Sequence, residues 1–129
     1  MFWVDPRSEA FDQISVRDYL ASLPGQHPGF DPQALATLVA GWSLTPHLDK
    51  HFYMLSTGSR RKVWLAAAFA SNATVTLMDD PFAALDAASI AYLMTLLEQA
   101  AIDPARAWIL ADYAAPGKVA LTATIALGD

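Results

Sequence analysis

A turn of small, hydroxyl-bearing residues precedes a helix-forming stretch near the middle of the sequence. It reads Leu-Ser-Thr-Gly-Ser over residues 55–59 and is followed by Arg-Arg-Lys and an apolar run to about Ser71. The first N–H groups of a helix lack intrahelical partners and carry a partial positive charge. Ser56, Gly58 and Ser59 would let an anion approach this backbone closely, so the pattern predicts a phosphate-binding turn. An ordinary capped helix with a basic first turn fits the same residues.

A pair of aspartates follows a short β-prone run from Thr74 to Met78. Asp79 and Asp80 would then stand at the C-terminal end of a strand, where carboxylate oxygens can hold a magnesium ion beside nucleotide phosphates. The second carboxylate of such a pair can orient a water molecule. The alternative is structural: the two aspartates begin a turn, and Asp86 caps the helix that follows.

The elements before the turn are predicted to be helical. Ser15 resembles a helix start, and the apolar pattern after it ends at Pro24-Gly25. Asp31-Pro32 opens a second helix through about Gly41, and Thr45-Pro46 opens a third, shorter one. Residues 1–72 are therefore expected to form a helical subdomain with the turn and its helix. Met1 to Val4 are apolar and fit the end of a strand.

After the turn and its helix, strands and helices are predicted to alternate along the chain. Residues 87–101 have apolar side chains at helical spacing, and Trp108 to Ala111 form a second β-prone run. A strand, a helix and a strand in this order make a βαβ unit with parallel strands. A third strand is predicted at Thr122 to Leu127. Residues 73–129 are therefore expected to belong to an α/β class fold with a short, mostly parallel sheet.

Composition narrows the possible functions. The 129 residues carry 8 Lys and Arg against 13 Asp and Glu, a net charge of −5, which disfavours a nucleic-acid surface. No cysteine is present, so disulfides and thiolate metal sites are excluded. The three histidines lack a carboxylate framework that would suggest zinc. No apolar stretch is long enough for a convincing membrane span, and no signal peptide is evident, so a cytosolic, soluble chain is expected.

The order Leu-Ser-Thr-Gly, helix, strand, Asp-Asp-Pro, Ala-Ala-Leu-Asp resembles the C-terminal half of an ATP-binding cassette (ABC) ATPase, a P-loop NTPase. In that family the first motif is the signature, usually Leu-Ser-Gly-Gly-Gln, and the strand is the Walker B segment followed by the D-loop. Leu55 and Asp79 lie 24 positions apart, close to the family spacing. The helices between Ser15 and Lys50 match the family's helical subdomain more weakly, and Phe2 to Ser15 resembles the segment around its Q-loop.

The resemblance implies a role for each motif residue. The residues of the signature turn would contact the γ-phosphate of ATP held by the opposite subunit of a head-to-tail dimer; they are Ser56, Thr57, Gly58 and Ser59. Asp79 would support Mg²⁺, mostly through its water shell, and Asp80 would stand where the family places the glutamate that polarises the attacking water. Asp86 would belong to the loop that links the two ATP sites. The cofactors implied are ATP and Mg²⁺.

Several residues depart from the family pattern. Thr57 and Ser59 replace a glycine and a glutamine of the signature, and Asp80 is one methylene shorter than glutamate, a difference that can cost about a hundredfold in rate. Tyr113 follows Asp112 where the family has its switch histidine, and Asp5 is the polar residue nearest to Val4, where the Q-loop glutamine is expected. No Gly-x-x-x-x-Gly-Lys-Ser/Thr motif, the Walker A P-loop, occurs in the sequence.

These observations leave two functions open. The first is a portion of the ATP-binding subunit of an ABC transporter, with a second ATPase subunit (a homodimer) and a membrane permease as partners. It would be cytoplasmic and held at the membrane through that permease. The second is a non-catalytic module that completes a partner's ATP site. Whether the protein is an enzyme stays open, since the chain without a Walker A is expected to bind ATP poorly and to be inactive alone. The family's P-loop lies N-terminal to this region, so Met1 is expected to be an internal start or an artificial boundary.

Overall fold

The computed structural model describes residues 1–111, in which helices precede a strand–helix–strand unit. The elements in chain order are α1 (Val16–Gln26), α2 (Pro32–Gly41), α3 (Thr57–Ser71), β1 (Val75–Asp79), α4 (Ala87–Ala101) and β2 (Ala107–Ala111). Single 3₁₀ turns at Thr45–His47 and Phe52–Met54 lie between α2 and α3. The predicted α/β class is confirmed. The strand predicted at Thr122 to Leu127 lies outside the described residues.

The sheet is parallel, as the βαβ pattern predicts. β1 and β2 pair in a register that places Val75 opposite Ala107 and Asp79 opposite Ala111. Phe2 extends the sheet on the other side of β1: its N–H donates to the Val75 carbonyl at 2.9 Å, and its carbonyl accepts from the Leu77 N–H at 2.9 Å. The apolar N-terminus therefore contributes a one-residue parallel bridge, and β1 lies between two neighbours.

Helix starts follow the local sequence closely. Ser15 caps α1 by accepting from the Asp18 N–H at 3.0 Å. Asp31 caps α2 and is followed by a proline at the first helical position, where no intrahelical N–H is needed. The predicted stop of α1 at Pro24-Gly25 is wrong, because the helix continues to Gln26. Pro24 stands in the last turn, where only one backbone hydrogen bond is lost. The third helix predicted at Thr45 is a single 3₁₀ turn.

Helix α3 occupies the centre of the molecule. Its residues from Val63 to Ala68 are all buried, as expected for a helix covered on every side. Three of these six are alanines, which let α1 and α2 approach the helix closely. On the α1 side, Trp64 stacks on Phe52 with ring centroids 4.7 Å apart and meets the edge of Tyr19 at 5.0 Å. Because α3 is fixed along its length, its first turn has a defined position.

Arg106, the residue directly before β2, holds the C-terminal end of α3. Its guanidinium donates to the carbonyls of Ala68, Phe69 and Ala73 and to the Thr76 hydroxyl at 2.7–3.1 Å. The carbonyls at the end of a helix lack intrahelical donors, and this side chain satisfies two of them. Burial lowers the pKa of Arg106 from its ordinary value. The sheet and the central helix are thereby tied together.

Within residues 1–111, no helix combines the length and the apolar character needed to cross a membrane.

Candidate functional site

The predicted phosphate-binding turn is the first turn of α3. Ser56 is the N-cap, and its Oγ accepts from the Ser59 N–H at 3.1 Å and donates to the Ser59 Oγ at 3.0 Å. Thr57 and Gly58 are the first two helical residues, so their N–H groups precede the first intrahelical bond, which the Arg60 N–H donates to the Ser56 carbonyl. Ser56 and Thr57 are exposed. The turn is thus a capped helix start with two backbone donors left for a ligand.

The two predicted acidic residues stand at the tip of β1. Asp79 is the last residue of the strand, and Asp80 follows it in the left-handed backbone conformation with φ 50°. The Asp80 N–H donates to the Ala111 carbonyl of β2 at 2.6 Å. Both aspartates are partly buried, and neither carboxylate forms an ion pair with another described residue. The prediction that the strand ends at these two aspartates is confirmed, since β1 ends at Asp79.

Asp86 caps α4, which is the structural alternative that the sequence left open. Its Oδ1 accepts from the Ser89 N–H at 2.8 Å, and its Oδ2 lies 3.9 Å from Lys62 Nζ. The hydrogen bonds to Ser89 hold the pKa of the Asp86 carboxyl below its ordinary value, and Lys62 contributes in the same direction. The side chain remains exposed, so the cap leaves room for a further contact.

The turn at the start of α3 packs directly against the segment that follows β1. A Cβ added to Gly58 would lie 2.6 Å from the Ala84 carbonyl oxygen, closer than real Cβ contacts come. Ala84 itself has φ 63°, so the backbone turns sharply to make this approach. Gly58 is therefore required by a neighbouring segment of the same chain, a reason that the sequence did not reveal.

Arg61 is the residue of this region that sequence reasoning missed. Its Nη1 donates to the Asp80 carbonyl at 2.6 Å and to the Asp79 carbonyl at 3.3 Å. In the sequence it is one of three consecutive cations, which predict only a basic cluster. The structure uses all three internally: Arg60 donates to the Phe52 carbonyl at 2.9 Å, and Lys62 faces Asp86. No signal in the sequence specifies these partners.

A shallow cleft lies beside the acidic tip. It runs between the N-terminal segment, α3 and the end of β1, and its lining includes Val4, Pro6, Arg61 and Asp79. The segment that resembles the family's Q-loop region is thus adjacent to Asp79. Tyr113, predicted at the switch position, lies outside the described residues.

The acidic tip suits a magnesium ion only in combination with a phosphate ligand. Among residues 1–111, no three histidine, cysteine or acidic side chains are grouped so that they could hold a metal. Mg²⁺ in nucleotide sites is commonly held by one or two carboxylates together with phosphates and water. The unpaired carboxylates of Asp79 and Asp80 fit that arrangement, while an all-protein cage for the ion is not formed by the described residues.

Comparison with known proteins gives a consistent result. The cytochrome c biogenesis ATP-binding export protein CcmA of Xylella fastidiosa is 35% identical over 79 residues, which cover 61% of this chain and 34% of that protein. The cobalt import ATP-binding protein CbiO of Rhodobacter capsulatus is 42% identical over 65 residues, covering 50% of this chain and 22% of that protein. No protein-family model matches the chain.

A solved ATP-binding cassette has a similar fold. The structure of an ATP-binding cassette, a dimer in a post-hydrolysis state bound to ADP and Pi, superimposes with a TM-score of 0.64 at 18% identity, over 80% of this chain and 47% of that one. In both sequence and fold, the chain is similar to part of an ATP-binding cassette ATPase. It spans about a third or less of the length of the two curated relatives, and about half of the solved one.

Proposed function

We propose that this chain contributes a signature turn and a Walker B and D-loop segment to the ATP-binding site of an ABC transporter subunit. The observation that carries the proposal is the packing of the Ser56–Ser59 turn against the segment from Asp79 to Asp86 within one α/β unit. Contacts within the chain thereby hold together the two segments that resemble the family's signature and Walker B motifs. The CcmA and CbiO relatives, both ATP-binding proteins, support the same assignment.

The residues have distinct roles in this proposal. The free N–H groups of Thr57 and Gly58, with the hydroxyls of Ser56 and Ser59, bind the γ-phosphate of an ATP held mainly by an opposing subunit. Asp79 would hold Mg²⁺, and when bound this ion would supply positive charge that neutralises the phosphates.

Two further residues act at the same site. Asp80 accepts a hydrogen bond from the attacking water and orients it. Asp86 lies in the loop that faces the other site of the dimer.

The proposed partners are a second ATPase subunit and a membrane permease. The ATP-binding cassette with the similar fold was solved as a dimer, and the relatives are described as export or import proteins. In this arrangement the α1–α2 region receives the cytoplasmic part of a permease, and the chain is located in the cytoplasm at the membrane surface. Tyr113 is proposed at the switch position, where it would donate a neutral hydrogen bond because its ordinary pKa is about 10.

The test is nucleotide binding by the 129-residue chain, alone and mixed with a separately produced P-loop segment of an ATP-binding cassette ATPase. Alone, we expect dissociation constants for Mg-ATP of about a millimolar or weaker, because no P-loop lysine and amide cradle is present. The mixture is expected to bind more tightly and to turn ATP over. Micromolar binding by the chain alone would contradict the proposal, and so would a mixture that binds no better than its parts.

An Asp80→Asn variant tests the catalytic assignment in that mixture. Loss of the carboxylate should lower turnover about a hundredfold or more, with Mg-ATP binding retained. Asp103→Asn, a charge change at an exposed residue after α4, is the matched control and should leave turnover unchanged. An unchanged rate in Asp80→Asn would remove this residue from its role.

The second candidate is a non-catalytic module that completes a partner's ATP site. It is favoured by the shorter carboxylate at Asp80 and by the substitutions Thr57 and Ser59 in the signature. In that case Asp80→Asn leaves the mixture unaffected, whereas Thr57→Arg, which fills the space before the helix start, abolishes the gain in ATP binding. The two variants together therefore distinguish the candidates.

A further inference from the structure

The backbone of Asp80 is held in an unfavourable conformation by contacts on both sides. Its φ of 50° lies in the left-handed region, which non-glycine residues rarely adopt, although aspartate does so more readily than most. The Asp80 N–H is fixed by the Ala111 carbonyl of β2, and the Asp80 carbonyl is fixed by Arg61 of α3. The direction in which the Asp80 side chain leaves the backbone is therefore set by one neighbour from the sheet and one from the helix.

Arg61 has no acidic partner that would explain its position. The three ion pairs of the described residues involve other cations, and its Nε is buried without a hydrogen-bond partner. A guanidinium bound to carbonyl oxygens forms charge-assisted bonds, which are stronger than neutral ones. Because it binds carbonyls of Asp79 and Asp80 rather than their side chains, the carboxylates stay free for other ligands.

We infer that Arg61 is a positioning residue, which keeps Asp80 in its left-handed conformation and ties the acidic tip to the first turns of α3. Two neighbouring contacts act in parallel, the Gly58–Ala84 approach and the Lys62–Asp86 pair. A displacement of the turn at Ser56–Ser59 must then move the acidic tip. For its consequence this inference rests on the proposed function: the turn that contacts the opposing subunit's nucleotide would be coupled to the position of the Asp80 carboxylate.

The test is amide hydrogen exchange and ¹³C chemical shifts of the full 129-residue chain without nucleotide, comparing Arg61→Gln with the unchanged protein. Removing a charge-assisted bond worth about 1.5–3 kcal/mol should speed exchange of the Asp80 amide at least about tenfold. The Asp80 Cα shift should move away from its left-handed value. Because no nucleotide is used, a negative result here is distinguishable from failure of the proposed function.

Arg60→Gln is the matched control, since Arg60 is the preceding residue of the same helix and donates instead to the Phe52 carbonyl. It should alter exchange near Phe52 and leave Asp80 unchanged. A purely structural role would speed exchange of core amides such as those of Ala66 and Leu93 to the same extent as Asp80. Equal effects of the two variants on Asp80, or an unchanged Asp80 in folded Arg61→Gln, would overturn the inference.

A measurement on the unchanged protein covers the case in which Arg61→Gln does not fold. Rotation of the Arg61 guanidinium about its Nε–Cζ bond is expected to be slow, as the two bonds to carbonyls require, while that of the exposed Arg7 is fast. The ¹⁵N line shapes of the side chains report this difference. Equal, fast rotation of both groups would show that Arg61 does not hold the acidic tip.

Discussion

Two separate constraints favour glycine at position 58. The family pattern associates this glycine with phosphate, yet the Ala84 carbonyl leaves no room for a side chain. Gly25 is a useful comparison, because it is also helical and a Cβ there would meet nothing within 4 Å.

We therefore predict opposite effects of glycine-to-alanine changes at these two positions. Gly58→Ala should lower the free energy of unfolding by about 1–3 kcal/mol through overpacking. Gly25→Ala should raise it by about 0.5–1 kcal/mol, since alanine is the better helix former. Urea unfolding measures both. Equal stability of the two variants would show that the close approach to Ala84 does not exist in solution.

Asp86 provides a pH-dependent test. Its pKa is lowered in the fold, so its stabilising contribution is present above the ordinary pKa near 3.8 and disappears as pH falls through the lower, folded value. The urea midpoint of Asp86→Ala should lie below that of the unchanged chain at neutral pH, and the gap should shrink below about pH 4. Asp86→Asn keeps a capping oxygen that does not titrate. The difference in urea midpoint between Asp86→Asn and Asp86→Ala should therefore not vary with pH.

At the scale of elements, the helices and strands could be predicted where the determinant is local. Asp31-Pro32 and Asp86 mark helix starts that the structure contains, and the apolar run before Asp79 is a strand. The sequence does not predict the turn at Phe52–Met54, because Phe52 is held by stacking on Trp64 of α3, a contact that no local sequence signal marks. The packing of the Ser56–Ser59 turn on the segment after β1 also depends on contacts across the fold, which spacing along the chain does not encode.

The hydrogen bonds from Arg106 to the carbonyls at the end of α3 are contacts of this kind, and substitution of Arg106 tests them. Arg106→Gln should lower the free energy of unfolding by about 2–4 kcal/mol, because it removes the guanidinium donors of the Phe69 and Ala73 carbonyls at the end of α3. It also removes the guanidinium that lies 4.2 Å from the Trp108 ring centre. Arg7→Gln, at an exposed arginine, should change stability by less than about 0.5 kcal/mol. Similar losses in both variants would contradict this role.

At the scale of the whole molecule, one face of the short sheet is left open by the described residues. Side chains of β2 alternate, with Trp108 and Leu110 partly buried and Ile109 53% exposed. Parallel sheets in α/β proteins are generally covered on both faces.

We predict that the 129-residue chain self-associates through this face or by strand exchange. Light scattering at increasing concentration should show a mass above that of the monomer, and Ile109→Lys should reduce it. Ile102→Lys is the control, because Ile102 is 83% exposed but follows α4, outside the sheet. A strictly monomeric mass at high concentration would contradict the prediction.

The crowding of Gly58 against Ala84 also bears on how such a chain diverges over time. A descendant that no longer handled nucleotide would still be selected to keep this glycine, since any larger residue would disturb its folding. Thr57 and Ser59, which carry no comparable intrachain restriction, would be free to drift. Retention of one glycine within an altered motif therefore records the demands of folding, and should not be counted as evidence of surviving chemistry.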